Sequence, residues 1–272
     1  MSILAVIPAR YGSTRFPGKP LAILGDKPLV VHVMEHAREA KRVDEVIVAT
    51  DDTRIVRAVE EYGGRAVMTS PDCPTGSDRI AEVAAARPDA DIIVNIQGDE
   101  PLIPPEVIDQ TVEALLGDPE CAAATAMVRI TNEQDYLSPN VVKVVCDRAG
   151  RALYFSRSPL PNLSRASAID KGAAAGNSAA TDKSASMSKS GADFWGFKHF
   201  GLYAYRREAL LRFVGLPPCP LERMEKLEQL RFLENNMKIR VVETHLDSIG
   251  VDTPEDLEAA RKRFEEKSRE QD

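Results

Sequence analysis

The chain has 272 residues with 43% hydrophobic content, and its 35 Lys and Arg against 42 Asp and Glu give a formal charge of −7. That length buries a full core without disulfides or a structural metal, and the acidic balance excludes a general nucleic-acid or anionic-membrane surface, which requires a basic face. Cys73, Cys121, Cys146 and Cys219 are scattered with no Cys-x-x-Cys spacing, which argues against a zinc ribbon and against a disulfide framework.

Residues 2–7 are nearly all aliphatic and stop at Pro8, the pattern of a buried parallel strand whose carboxyl end opens onto a ligand crevice. Arg10, Ser13, Thr14, Arg15 and Lys19 follow at that strand end. Apolar residues on one helical face predict a first crossover helix over 28–37, with Asp26 as its cap. Residues 45–50 read as a second buried strand ending in Asp51-Asp52. A helix then runs to the Gly63-Gly64 stop, and a third strand covers 65–68. A helix from near Ser77 to before Pro88, a strand over 91–97, a helix opened by Pro104-Pro105 and a strand over 121–128 continue the alternation. The expected fold class is α/β, a doubly wound, mainly parallel sheet with helices on both faces.

Beyond this point the character changes. Residues 141–146 and 151–155 flank the Asp147–Gly150 turn as an antiparallel hairpin. Residues 164–193 are dominated by Ala, Ser, Gly and Lys, too poor in large apolar side chains to offset ordering entropy, and read as a flexible insert. The aromatic cluster at 194–197 is expected to pack the strand that runs through Tyr205. Leu221, Met224, Leu227, Leu230 and Leu233 predict an amphipathic helix over 220–236 with Glu222, Glu225, Glu228 and Gln229 on its solvated side. A strand over 238–244 and a charged helix over 254–267, capped by Thr253, close the chain. This describes one domain: 1–128 and 237–272 form its core and 129–236 a smaller antiparallel elaboration. The amino-terminal apolar run is followed by positive charge, the wrong order for a signal peptide, and no stretch approaches the roughly 20 apolar residues of a membrane span, so the expected location is the cytoplasm.

The loop over 8–20 is neither common nucleotide fingerprint. Gly18-Lys19 is followed by Pro20 where a P-loop needs Ser or Thr opening a helix, and Gly12 and Gly18 lie too far apart for a dinucleotide turn. It therefore works through side chains, with Arg offering forked donors to phosphate and Lys a mobile point charge. Thr75-Gly76-Ser77-Asp78-Arg79 places hydroxyls, a glycine and a cation where a helix amino terminus offers free N–H groups to phosphate. Asp99 follows a buried strand through Gln97-Gly98 and is the first candidate ligand for Mg²⁺. Asp252 stands before the closing helix, where an Asp is often an amino-terminal cap. No Gly-x-Ser-x-Gly elbow or Cys–His arrangement suggests a covalent nucleophile.

These stretches, with Asn95–Pro101, Leu153–Arg157, His199–Tyr203, Leu227–Arg231 and Gly250–Leu257, resemble in order the 3-deoxy-D-manno-octulosonate (Kdo) cytidylyltransferase family over almost the whole chain. Asp78 stands where the family usually carries Glu. The resemblance implies Mg²⁺-dependent transfer of CMP from CTP to Kdo, for lipopolysaccharide biosynthesis, by a homodimer. It implies Lys19, Asp99 and Asp252 as the catalytic residues, the two aspartates as metal ligands. It assigns CTP to Ala9, Arg10, Ser13, Arg15, Lys19, Thr50, Asp51, Gly76, Ser77, Arg79 and Gln97. The sugar falls to Gln97, Arg157, His199, Tyr203, Glu225 and Gln229, and the spacing of Glu225 and Gln229, one helical turn apart on the predicted helix, supports their pairing independently. The alternatives are a cytidylyltransferase for another keto-sugar acid (8-amino-Kdo or a sialic acid) and a catalytically silent CTP-binding regulator.

Overall fold

The computed structural model describes residues 1–12, 16–163, 195–248 and 250–271, with side chains through residue 264. The insert expected over 164–193, and with it Ser13, Arg15 and Phe194, lies outside the described residues. In chain order, β1 (Ile3–Ala9) leads to a short hairpin, β2 (Ile23–Leu24) and β3 (Lys27–Pro28), and then to α1 (Leu29–Glu39). Next come β4 (Glu45–Thr50), α2 (Thr53–Glu61), β5 (Ala66–Met68), α3 (Gly76–Ala85), β6 (Ile92–Asn95), α4 (Pro105–Leu116) and β7 (Cys121–Ile130). The second half holds α5 (Glu133–Leu137), β8 (Lys143–Cys146), β9 (Ala152–Ser156), β10 (Gly196–Arg206), α6 (Arg207–Val214), α7 (Pro220–Glu225), α8 (Leu230–Glu234), β11 (Lys238–Thr244) and α9 (Pro254–Gln271).

Among the described residues one sheet runs in the order β11-β7-β10-β6-β1-β4-β5, with the β8-β9 hairpin attached to β10. β1 is parallel to β4 and β6, β4 to β5 and β11 to β7, while β10 is antiparallel to both neighbours. Because side chains alternate across a strand, Ile3, Ala5 and Ile7 enter one core with α1, α2 and α4, and Leu4 and Val6 enter the other with α3 and α6. Both faces are therefore apolar and both are covered, which is the doubly wound arrangement. A third cluster joins α9, through Leu257 and Ala260, to Leu24 and Leu29 of the hairpin and the start of α1.

Several elements differ from the expectations in instructive ways. Asp26 does not cap α1. Gly25, at φ 62, closes the two-residue hairpin turn, and Pro28 itself occupies the cap position. The 129–236 segment is not wholly an elaboration, since β10 lies inside the main sheet. Its Phe200, Leu202 and Ala204 feed one core and Tyr203 and Tyr205 the other, so a strand apolar on both faces takes an interior position.

The helix expected over 220–236 is broken at Lys226, whose backbone is left-handed at φ 57, ψ 44. Neither is its acidic side solvated. Glu222 pairs with Arg231 (Nε to Oε2 2.8 Å), Glu225 meets Ser156 and Glu228 meets Ser77, three partners in three directions that one straight helix face could not reach. Met224 is 79% exposed in consequence, while Leu227 and Leu230 are buried.

The Gly63-Gly64 stop has two separate causes: Gly63 takes a positive φ of 68, whereas Gly64 is required for space. A Cβ at Gly64 would stand 2.3 Å from Met34 Sδ and 2.7 Å from the Val59 carbonyl oxygen. Gly64→Ala is expected to cost about 1–3 kcal/mol of stability, the usual range for overpacking, as a lowered urea midpoint with unchanged slope.

Candidate active site

A cavity of about 410 Å³ opens at the carboxyl ends of β1 and β6, where an open α/β sheet places its ligands. Ala9 and Arg10 line it from β1, Thr75, Gly76 and Arg79 from α3, and Gln97, Gly98 and Asp99 from the turn after β6. Lys19 and Asp252 complete the wall.

The loop that delivers Lys19 turns back on itself. Gly18, at φ 72, lies against the Tyr11 ring, and its N–H donates to the Tyr11 carbonyl at 3.0 Å. The Lys19 ammonium then donates to Asp99 Oδ2 at 2.6 Å and Asp252 Oδ1 at 3.1 Å. The two aspartates are neighbours because the Val251 N–H donates to the Asp99 carbonyl at 2.8 Å, tying the entry of α9 to the turn after β6.

Asp252 is not a helix cap. Thr253 takes that role, its Oγ1 accepting from Asp256 N–H at 3.2 Å while Asp256 Oδ2 accepts from Thr253 N–H at 2.8 Å and Asp252 N–H at 3.0 Å. Gly98 permits a close approach of backbone to backbone, since a Cβ there would sit 2.9 Å from the Pro8 carbonyl oxygen.

At the start of α3, Thr75 and Asp78 form a reciprocal capping box, so the shorter Asp at position 78 serves the helix itself. Arg79 touches the cavity, but the residue is only 3% exposed and its guanidinium is paired with Asp51 (Nη2 to Oδ2 2.9 Å). Thr50 is fully buried, and its Oγ1 accepts from Asp52 N–H at 3.2 Å. Thr50 and Asp51 thus stand behind the cavity wall as braces. Arg10 is exposed at the mouth.

Apart from Gln97, the residues assigned to the sugar form a second wall on the α3 side of the sheet and do not line this cavity. Gln97 connects the two, its Nε2 donating to the Gly201 carbonyl at 3.3 Å. Gly201 sits in a β-bulge between Phe200 and Tyr203. The His199 ring lies 5.1 Å from Phe155 and 5.2 Å from Tyr203, centroid to centroid, and the Tyr203 hydroxyl is buried without a hydrogen-bond partner.

Thr125 Oγ1 lies 2.7 Å from the Leu202 carbonyl oxygen and 3.0 Å from His199 Nε2. With its single proton given to the carbonyl, Thr125 accepts from Nε2–H, leaving Nδ1 as an acceptor. Glu225 accepts from Ser156 Oγ at 2.6 Å and from Arg157 N–H at 3.0 Å, and Arg157 Nε donates to the Glu225 carbonyl at 3.0 Å. The break at Lys226 removes the one-turn argument for pairing Glu225 with Gln229, which is buried at the start of α8.

Burial holds the His199 imidazole down to about 3. The unfolded chain therefore binds a proton at this site below about 6.5 that the folded chain refuses. This contribution to stability is complete above that pH and is lost as pH falls towards 3. His199→Gln is expected to flatten the decline in urea stability between pH 7 and pH 5 relative to the parent, and an unchanged decline would place the pH sensitivity elsewhere.

A cavity with this geometry fits a phosphorylated ligand, and comparison with known proteins supplies the family. The sequence pattern described as Cytidylyltransferase matches residues 4–239. The 3-deoxy-manno-octulosonate cytidylyltransferase of Pelobacter propionicus is 54% identical over 264 residues, covering 97% of this chain and 98% of that one. The protein of the same name from Geobacter metallireducens is 55% identical over 262 residues, covering 95% and 96%. The chain belongs to the 3-deoxy-manno-octulosonate cytidylyltransferase family.

The solved structure of CMP:2-keto-3-deoxy-manno-octonic acid synthetase complexed with CTP aligns with a TM-score of 0.84 at 38% identity, over 98% of this chain and all of that one. The 4-diphosphocytidyl-2C-methyl-D-erythritol synthase of Anaerococcus prevotii shares the fold, with a TM-score of 0.61 at 16% identity. Among the described residues no helix is long and apolar enough to cross a membrane.

Sequence reasoning within this family passed over Glu100 and Glu228. Burial, reinforced by the Asp99 carboxylate, pushes Glu100 up to about 8, and burial also raises Glu228, against the pull of its bond from Ser77. Their burial has no local signal, because Glu100 follows Asp99 and Glu228 precedes Gln229, each in a polar stretch.

Proposed function

We propose that this family member transfers CMP from CTP to the anomeric hydroxyl of Kdo and releases pyrophosphate. The observation that carries the reading is the convergence of Lys19, Asp99 and Asp252 on one cavity that the α3 amino terminus also faces. The sugar oxygen forms a bond to the α-phosphorus as the bond to pyrophosphate breaks. Lys19 follows the charge onto the leaving group, and the first N–H groups of α3 and the Arg10 cation favour the anionic triphosphate. No side chain needs to become covalently attached.

Two carboxylate oxygens meeting at one cationic atom are a donor set that suits a hard divalent ion, so Asp99 and Asp252 would hold Mg²⁺. Bound there, Mg²⁺ supplies Lewis-acid neutralisation of phosphate charge. On the sugar wall, Arg157 is the cation for the substrate carboxylate. A neutral His199 and the Tyr203 hydroxyl offer an acceptor and a donor to sugar hydroxyls without a competing charge. The same reading places the enzyme in the cytoplasm as a homodimer, which sedimentation would measure.

Pyrophosphate release from each nucleoside triphosphate, with Kdo, 8-amino-Kdo and a sialic acid as acceptors, tests the reading. CTP with Kdo is the expected best pair. A faster reaction with another acceptor reassigns the sugar, and CTP binding without release from any acceptor would make the protein a silent regulator.

A further inference from the structure

Lys143 stands in the run Val141-Val142-Lys143-Val144-Val145, where alternation would suggest a surface side chain, yet it is fully buried. Its ammonium donates to the carbonyls of Val141 at 2.6 Å, Ser138 at 2.7 Å and Arg157 at 2.8 Å. All three of its protons are thereby used on main chain.

The Arg157 guanidinium is held in turn by the Pro139 carbonyl (Nη1, 3.0 Å) and the Glu225 carbonyl (Nε, 3.0 Å). The 138–141 loop therefore holds Arg157 twice, once by its side chain and once through the ammonium. Glu225 is the carboxylate of this cluster, and both of its oxygens are engaged, by Ser156 and by the Arg157 N–H. Two cations stand against one carboxylate, an excess of positive charge beside the wall assigned to an anionic sugar. A position needing only filling would be served as well by an apolar side chain of similar volume.

We propose that Lys143 is a positioning residue for the substrate carboxylate, its ammonium gathering the 138–141 loop and the Arg157 main chain into one cage from which the Arg157 guanidinium is presented. The proposal rests on the assignment of Arg157 to the sugar acid made above. It is distinct from a contact with substrate, since Lys143 acts only through Arg157.

Steady-state kinetics on the full chain test it. Lys143→Gln and Lys143→Met are expected to raise the KM for Kdo by about tenfold, the scale of a hydrogen bond to a charged group, with the KM for CTP unchanged. Arg157→Ala should do the same, and Lys143→Gln added to Arg157→Ala should cause no further rise. Independent, additive effects would overturn the proposal, as would a parallel rise in both KM values.

Lys143 variants with a normal KM for Kdo, where Arg157→Ala raises it, would also overturn the proposal while leaving the sugar site standing. An unchanged KM in Arg157→Ala would instead remove Arg157 from the sugar site. Lys143→Gln keeps amide donors for two of the carbonyls, so it carries the test if Lys143→Met does not fold. Failure of both to fold would show an ammonium required by the fold, against the proposal.

Discussion

Asp99→Asn and Asp252→Asn are each expected to reduce kcat by about a hundredfold or more, the scale of losing a principal electrostatic stabiliser, with thermal unfolding little changed. Both carboxylates reach the cavity from loops, and these loops are held by bonds that use neither side chain: Val251 N–H to the Asp99 carbonyl, and Asp252 N–H to the Asp256 carboxylate. An amide of the same shape preserves that scaffold. What it loses is the anionic pair that faces Lys19 and would hold Mg²⁺. The measurement is kcat across a Mg²⁺ titration for each variant. A rate near that of the parent at saturating Mg²⁺ would remove the substituted residue from the metal site.

Lys19→Met is expected to lower kcat/KM for CTP by about a hundredfold while leaving the KM for Kdo close to that of the parent. Its ammonium is 2.6 Å from Asp99 and 3.1 Å from Asp252, on a side chain only 15% exposed, so the charge is held at the cavity rather than in solvent. Met keeps the stem and removes only the charge. Added Mg²⁺ should not restore the rate, because a metal held by the aspartates does not replace a flexible cation that follows charge onto pyrophosphate. A variant altered only in its KM for Kdo would show that the loop over 8–20 serves the sugar and not the phosphates.

Much of the fold was legible because local pattern reports directly on burial. Residues 45–50 and 238–244 are apolar in the manner of strands, and both limits coincide with the observed β4 and β11. Thr253 was read as a cap from its own position, and the candidate cavity residues Lys19 and Asp99 from the strand ends that precede them. These are properties of a short window of chain.

The sequence by itself determined most of the strands and the first four helices, though not the β2-β3 hairpin, α5 or α6, and that a cationic loop and an acidic turn follow buried strands. Only the tertiary structure decided which charges meet. Lys19 and Asp252 are 233 positions apart, and their contact depends on the bond between the entry of α9 and the turn after β6. The place of β10 inside the sheet, the neutralisation of Arg79 by Asp51 and the cage around Lys143 likewise follow from strand order. The break at Lys226 belongs to the same class. Periodicity favoured one long helix, but a left-handed residue there lets Glu222, Glu225 and Glu228 each reach a different partner, and burying an unpaired carboxylate costs more than one strained backbone angle.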